Sequence, residues 1–180
     1  MKAHKRHLRL FPIFFLALHL CVPSAHSQEY QIGVGDVLSI SVFEEEDLSL
    51  KEVRVNGAGA ISLPLIGEIK ARGLTSRQLE ELITHLLLDG YLVKPKVTVA
   101  ILHYRMFYVH GQVKKPGGYP YVEGLTVQKA IALAGGFTER ASESKIQLVQ
   151  EGKSKDKSEM VNISSAVDPG DVIIVGESLF

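Results

Sequence analysis

The chain has 180 residues, with 20 Lys+Arg balanced by 20 Asp+Glu, and it contains no Trp and a single Cys. That neutral balance gives no electrostatic case for nucleic-acid binding. One cysteine cannot close an internal disulfide, so the fold must rest on apolar burial, at a length that suits one domain or two small ones.

Lys2, Lys5, Arg6 and Arg9 precede an apolar run from Leu10 to Val22, and Ala25-His26-Ser27 then places small residues at −3 and −1. This is the pattern of a secretory signal over residues 1–27. The apolar run falls short of the roughly 20 residues a spanning helix needs. Cys21 raises the question of lipidation, but Leu20 directly before it is too large for lipoprotein processing. Removing 1–27 takes four cations and no acidic residue, which leaves 153 residues, no cysteine and a net charge of −4.

The segment Tyr30-Gln-Ile-Gly-Val-Gly-Asp-Val-Leu-Ser-Ile-Ser-Val-Phe43 reads as a glycine turn feeding a strand, because Leu38, Ile40 and Val42 alternate with Ser39 and Ser41. Glu52–Val55, Ile61–Gly67 and Glu68–Gly73 follow as short strands, with a turn at Asn56-Gly57 and with Pro64 suited to an edge or a bulge. Thr75–Leu88 is the clearest helix. Thr75 and Gln78 form a capping box, and Leu79, Leu82, Ile83, Leu86 and Leu87 make one stripe. Val97–Leu102 is a strand by its β-branched content. His103-Tyr104-Arg105 reads as a junction.

Beyond that junction, Met106–Val113 and Tyr119–Val122 read as partner strands around Lys114-Lys115-Pro116-Gly117, a type II turn with φ > 0 expected at Gly117. Thr126–Ala134 is a second helix, stopped by Gly135-Gly136. Lys145–Gln150 is a strand, Gly152–Ser158 a hairpin or loop, and Val172–Val175 the last strand. That strand follows Asp168-Pro-Gly-Asp171, a shortened echo of the first turn. The class is α+β, in two small βαβ-like halves at 28–103 and 104–180, each a small mixed sheet with one main helix.

Little in the chain invites chemistry. Glycoside hydrolysis needs two carboxyl groups facing each other across a sugar, and the consecutive carboxylates of Glu44–Asp47 diverge as a solvated run. Asp36 and Asp171 follow turn glycines, where an aspartate accepts nearby backbone amides. Gly33-Val34-Gly35 lacks the third glycine of a nucleotide loop and enters a strand rather than a helix. His85, His103 and His110 lack the spacing of metal ligands. No catalytic residue, metal or cofactor is therefore assigned. The surface of interest is Lys114, Lys115, Pro116, Gly117, Tyr119 and Tyr121. It reads as an exposed turn with core tyrosines, as a contact between subunits, or as a glycan-binding face.

Taken in order, the landmarks resemble the bacterial polysaccharide export family. They are Tyr30-x-Ile32-Gly33-x-Gly35-Asp36-x-Leu38, Val55-x-Gly57, Leu63-Pro-Leu-Ile-Gly67, Gly73-Leu-Thr75 and Pro95-x-Val97-x-Val99. The second half is similar to a soluble-ligand-binding β-grasp (SLBB) domain in Val109-x-Gly111-x-Val113-x-x-Pro116-Gly117-x-Tyr119, Leu125-Thr-Val127, Ala134-Gly-Gly-Phe-Thr138 and Pro169-Gly170-Asp171. The resemblance implies a periplasmic, outer-membrane-associated homo-oligomeric ring that passes capsular or exopolysaccharide without catalysis. Its implied partners are the polysaccharide and an inner-membrane copolymerase with its tyrosine kinase. Gly33, Gly35 and Asp36, with Pro169, Gly170 and Asp171, are its structural turns. Longer members continue into a pore-lining helix that Gly176–Phe180 cannot form, so a separate outer-membrane pore component is expected. The rival reading is a monomeric periplasmic module that binds glycan or another soluble ligand.

Overall fold

Strand β1 (Val37–Val42) owes its central place in the first sheet to its alternation: Leu38, Ile40 and Val42 are buried, whereas Ser41 is exposed. The computed structural model describes residues 29–153 and 158–178. The signal segment and Cys21 lie outside the described residues. β1 is flanked by β2 (Leu50–Arg54) and β5 (Val97–His103), both antiparallel, with Leu38 opposite Val53 on one side and Ile101 on the other. A separate antiparallel hairpin joins β3 (Ala60–Leu63) to β4 (Gly67–Lys70).

The expected strands 61–67 and 68–73 are both shorter. Pro64 has no N–H to give a ladder, and Leu65 and Gly67 take left-handed φ of 65° and 73°. Pro64 therefore stands in the connecting turn, not in an edge strand or a bulge.

Helix α1 (Ser76–Leu88) carries the expected reciprocal cap. The Gln78 amide donates to Thr75 Oγ1 at 3.2 Å, and the Thr75 amide donates to Gln78 Oε1 at 3.0 Å. Leu79, Ile83 and Leu87 are fully buried, with Leu82 and Leu86 beside them, against β1, β3 and β5 residues such as Ile40, Ile61 and Val99. Each fully buried side chain of this size contributes about 1.5–3 kcal/mol. Glu80 ties the helix to the sheet by accepting the Val99 amide at 2.8 Å.

The second half is a five-stranded sheet ordered β7-β6-β10-β8-β9, built from β6 (Phe107–Gly111), β7 (Gly117–Tyr119), β8 (Ala141–Val149), β9 (Glu159–Val161) and β10 (Val172–Glu177). β10 is its middle strand, parallel to β6 and antiparallel to β8, with Val172 opposite both Tyr108 and Val149. Helix α2 (Val127–Leu133) is capped by Thr126. It buries Val127, Ala130 and Ile131 with Phe107, Val109, Ile146, Ile173 and Val175 in a second core.

The class is α+β, as expected. The βαβ likeness fails in the first half, where every pairing is antiparallel. β8 starts at Ala141 rather than Lys145, and β9, just past the expected hairpin or loop at 152–158, pairs with it where no strand was expected. Among the described residues, no helix is long and apolar enough to cross a membrane.

Candidate functional site

β5 ends at His103 and β6 begins at Phe107, so only Tyr104, Arg105 and Met106 join the two sheets. Among the described residues, a buried polar network sits at this joint. Asp36, just before β1, is completely buried, and a buried carboxylate is tolerated only when donors surround it. Its Oδ2 accepts from the Tyr30 hydroxyl at 2.6 Å, the Gly33 amide at 2.7 Å and the Arg105 guanidinium at 3.3 Å. Its Oδ1 accepts the Arg105 amide at 2.7 Å. Arg105 also donates to the Tyr30 hydroxyl, forms an ion pair with Glu151, and lies 5.6 Å from the Tyr30 ring centroid. Burial raises the Tyr30 hydroxyl well above its ordinary value, and its bond to Asp36 adds to the rise. Tyr30 thus stays a neutral donor.

The glycines of the first turn have two separate reasons. Gly35 adopts φ of 93°, which favours glycine. Gly33 has an ordinary φ, but a Cβ there would overlap the Arg105 guanidinium. The closing turn meets the same arginine. A Cβ on Gly170 would stand 2.8 Å from the Glu151 carboxyl and 2.9 Å from Arg105 Nε. Pro169 is buried beside it. Asp171 accepts the amide of Asp168 at 2.9 Å and that of Glu151 at 3.2 Å. Burial holds the Asp171 carboxyl above its ordinary 3.8, against the pull of those two amides. Both aspartates accept backbone amides, as their sequence positions suggest.

On one side of the joint opens a cavity of about 710 Å³. Three tyrosines frame it edge to face. Tyr30 and Tyr104 centroids are 4.9 Å apart at 88°, and Tyr104 and Tyr121 are 5.3 Å apart at 79°. The Tyr104 hydroxyl donates to Glu123 Oε1 at 2.5 Å. Burial pushes that hydroxyl up to about 12, with the Glu123 bond as the next cause. Among the described residues, no three His, Cys, Asp or Glu side chains gather as a metal site.

The six residues of the expected binding surface do not stay together. The Lys114 amide donates to the Gly136 carbonyl at 3.0 Å, the Lys115 amide to that of Ala134 at 2.8 Å, and Val113 bridges Phe137. The type II turn is therefore corrected. The backbone of 113–115 is bonded to residues 134–137, just past α2, and Gly117 has no positive φ and opens β7. The left-handed glycine of this connection is Gly111, at φ 86°. Lys114, Lys115 and Pro116 are exposed. Tyr119 packs its ring on Phe107 and donates its hydroxyl to the Lys115 carbonyl. Tyr121 instead joins Tyr104 at the cavity.

Arg105, Tyr30 and Glu151 escaped the sequence reading as site residues. The available signal was a lone arginine in a three-residue link between two apolar strands. Arg105 and Asp36 are 69 positions apart, and no local pattern pairs them.

Comparison with known proteins gives two matches along the chain. Residues 24–102 match the family described as polysaccharide biosynthesis/export protein, and residues 106–162 match the SLBB domain. The chain is 36% identical over 124 residues to the exopolysaccharide production protein ExoF of Rhizobium meliloti (strain 1021), covering 63% of this chain and 30% of that protein. It is 30% identical over 179 residues to the EPS I polysaccharide export outer membrane protein EpsA of Ralstonia nicotianae, covering 84% of this chain and 46% of that protein. The matched stretches thus span under half the length of these curated relatives.

Proposed function

With a polysaccharide biosynthesis/export domain followed by an SLBB domain, the chain belongs with the polysaccharide export proteins, and we propose that it is a non-catalytic component of an exopolysaccharide or capsule export machine. It works beyond the inner membrane, in the periplasm and against the outer membrane, as a ring of identical copies through or along which the polymer passes. An inner-membrane copolymerase with its tyrosine kinase delivers that polymer.

The observation that carries this reading is the order of the two matched domains. The joint between the sheets adds a physical reason. Two small sheets joined by a three-residue link would swing freely unless something fixed them, and domain motion is the default where an interface is small. Asp36 of the first half holds Arg105 of the link through a buried, four-donor carboxylate, and Arg105 in turn pairs with Glu151 of the second half. A part that stacks into a ring needs that fixed angle, whereas a hinged catalytic cleft needs its loss.

The test is a deletion strain, comparing polysaccharide outside the cell with polysaccharide held in the periplasm. Loss outside while repeat units are still made is the expected result. Unchanged secretion would sink the export role. Mass in solution tests the ring: a stable monomer, alone and with the copolymerase, would favour the soluble binding module instead.

A further inference from the structure

We propose that the cavity framed by Tyr30, Tyr104 and Tyr121 is a saccharide-binding subsite that takes neutral sugar units and rejects uronates. It rests on the export reading for its ligand class, and of the six residues of the expected surface it takes in Tyr121 alone. The volume, about 710 Å³, lies within the roughly 300–1,000 Å³ of small-molecule sites, which favour junctions of this kind.

Three observations give the chemistry. First, aromatic faces stack on the C–H surfaces of sugars, and these three rings stand nearly perpendicular in sequence, at 88° and 79°. All three line the cavity. Second, two of the rings are already held, Tyr30 by Asp36 and Tyr104 by Glu123, so a ligand need not order them. Third, the polar lining is acidic. Glu123 and Asp168 face the cavity, and carboxylates accept sugar hydroxyls through charge-assisted hydrogen bonds.

Arg105 is the one cation lining the cavity, and it is committed to Asp36 and Glu151. No described cation is therefore left in the lining to answer a uronate carboxylate, and like charges across an interface oppose binding. The Tyr121 hydroxyl reports the same field. Burial is the first cause of its upward shift, and the charges of Asp168 and Glu123 are the next.

The experiment is calorimetric titration of the purified chain with neutral gluco-, galacto- and manno-oligosaccharides, and with oligogalacturonate of matched length. At least one neutral oligomer is expected to bind in the millimolar range or tighter, with oligogalacturonate at least about tenfold weaker. Tyr121→Ala should weaken the neutral ligand by about tenfold or more, as loss of an aromatic anchor does, and Lys115→Ala should leave it unchanged.

Tyr121 also touches the second core, so a second variant guards against misfolding. Glu123→Gln with Asp168→Asn keeps both shapes and should narrow the gap between neutral and uronic ligands. Binding of no neutral oligomer, equal or tighter binding of oligogalacturonate, or indifference to both variants overturns the subsite. Failure to bind alongside lost export in the deletion strain removes the subsite alone. Binding with export intact removes the export reading alone.

Discussion

At Gly35-Asp36 a buried carboxylate reaches across to the other half of the molecule, whereas at Gly170-Asp171 the same dipeptide closes a loop inside its own half. Asp36 and Asp171 are equally hidden, at 0% and 2% exposure, and their partners set them apart. Asp36 takes a tyrosine hydroxyl, two amides and a guanidinium. Asp171 takes only two amides. Burial alone raises a carboxyl, and a bonded cation opposes the rise. Burial holds the Asp171 carboxyl above its ordinary range, against the pull of its two amides. The same dipeptide thus acts as a bolt between domains in one place and as a loop lock in the other. Both turns press glycine against Arg105, which makes that arginine the shared point of the two.

The comparison breaks most sharply at Asp36. Asp36→Ala leaves a guanidinium and two amides facing a buried gap, and losing one partner of a buried ion pair typically costs about 3–5 kcal/mol. Denaturant unfolding should show that loss, together with protease cutting between His103 and Phe107. An uncut, equally stable variant would end the bolt argument.

Gly33→Ala is expected to cost less, about 1–3 kcal/mol, because a new Cβ forces the guanidinium aside. The cost should largely vanish in an Arg105→Ala background. That coupling, read by a double-mutant cycle, separates space for the arginine from any intrinsic need for glycine. If the two effects simply add, the contact is irrelevant.

Asp171 sharpens the contrast through pH. Its folded carboxyl binds its proton more tightly than the unfolded one does. In the window above 3.8 the native state therefore holds more protons, and stability falls as pH rises through it. Relative to Asp171→Asn, which cannot titrate, the natural chain should gain stability on acidification toward pH 4. At neutral pH Asp171→Asn should cost about 1–3 kcal/mol, since its NH2 cannot accept the second amide. A flat difference across pH would show that Asp171 titrates alike folded and unfolded.

Legibility in the sequence followed distance along the chain. Thr75 and Gln78 are three apart and the α1 stripe repeats within two turns, so cap and buried face could be read directly. Val172–Val175 was recognisable as a strand, but nothing local says that it lies in mid-sheet, parallel to β6. The echo between the two glycine–aspartate turns was visible, yet their meeting at Arg105 depends on how the halves dock. Tyr30 and Glu151 are drawn in by that docking. The lysine turn failed for a related reason: Pro-Gly is a sound local signal, overridden here by the carbonyls of Ala134 and Gly136, just past α2, which accept the amides of 115 and 114.

That override supplies the smallest effect and the finest test. A type II turn would need glycine at 117, and alanine at a left-handed position destabilises. In the fold Gly117 has an ordinary φ, and a Cβ there meets nothing within 4 Å. Gly117→Ala should therefore change stability by no more than about 0.5 kcal/mol, as surface substitutions do. Gly135, at φ 81° and with Lys114 Cβ 3.3 Å from its added Cβ, should lose more on the same substitution. Thermal unfolding of the pair decides between the geometries. A larger loss at Gly117 than at Gly135 would restore the turn and free the lysines from the carbonyls just past α2, and it would return the exposed hairpin to contention as the surface that meets polymer or neighbour.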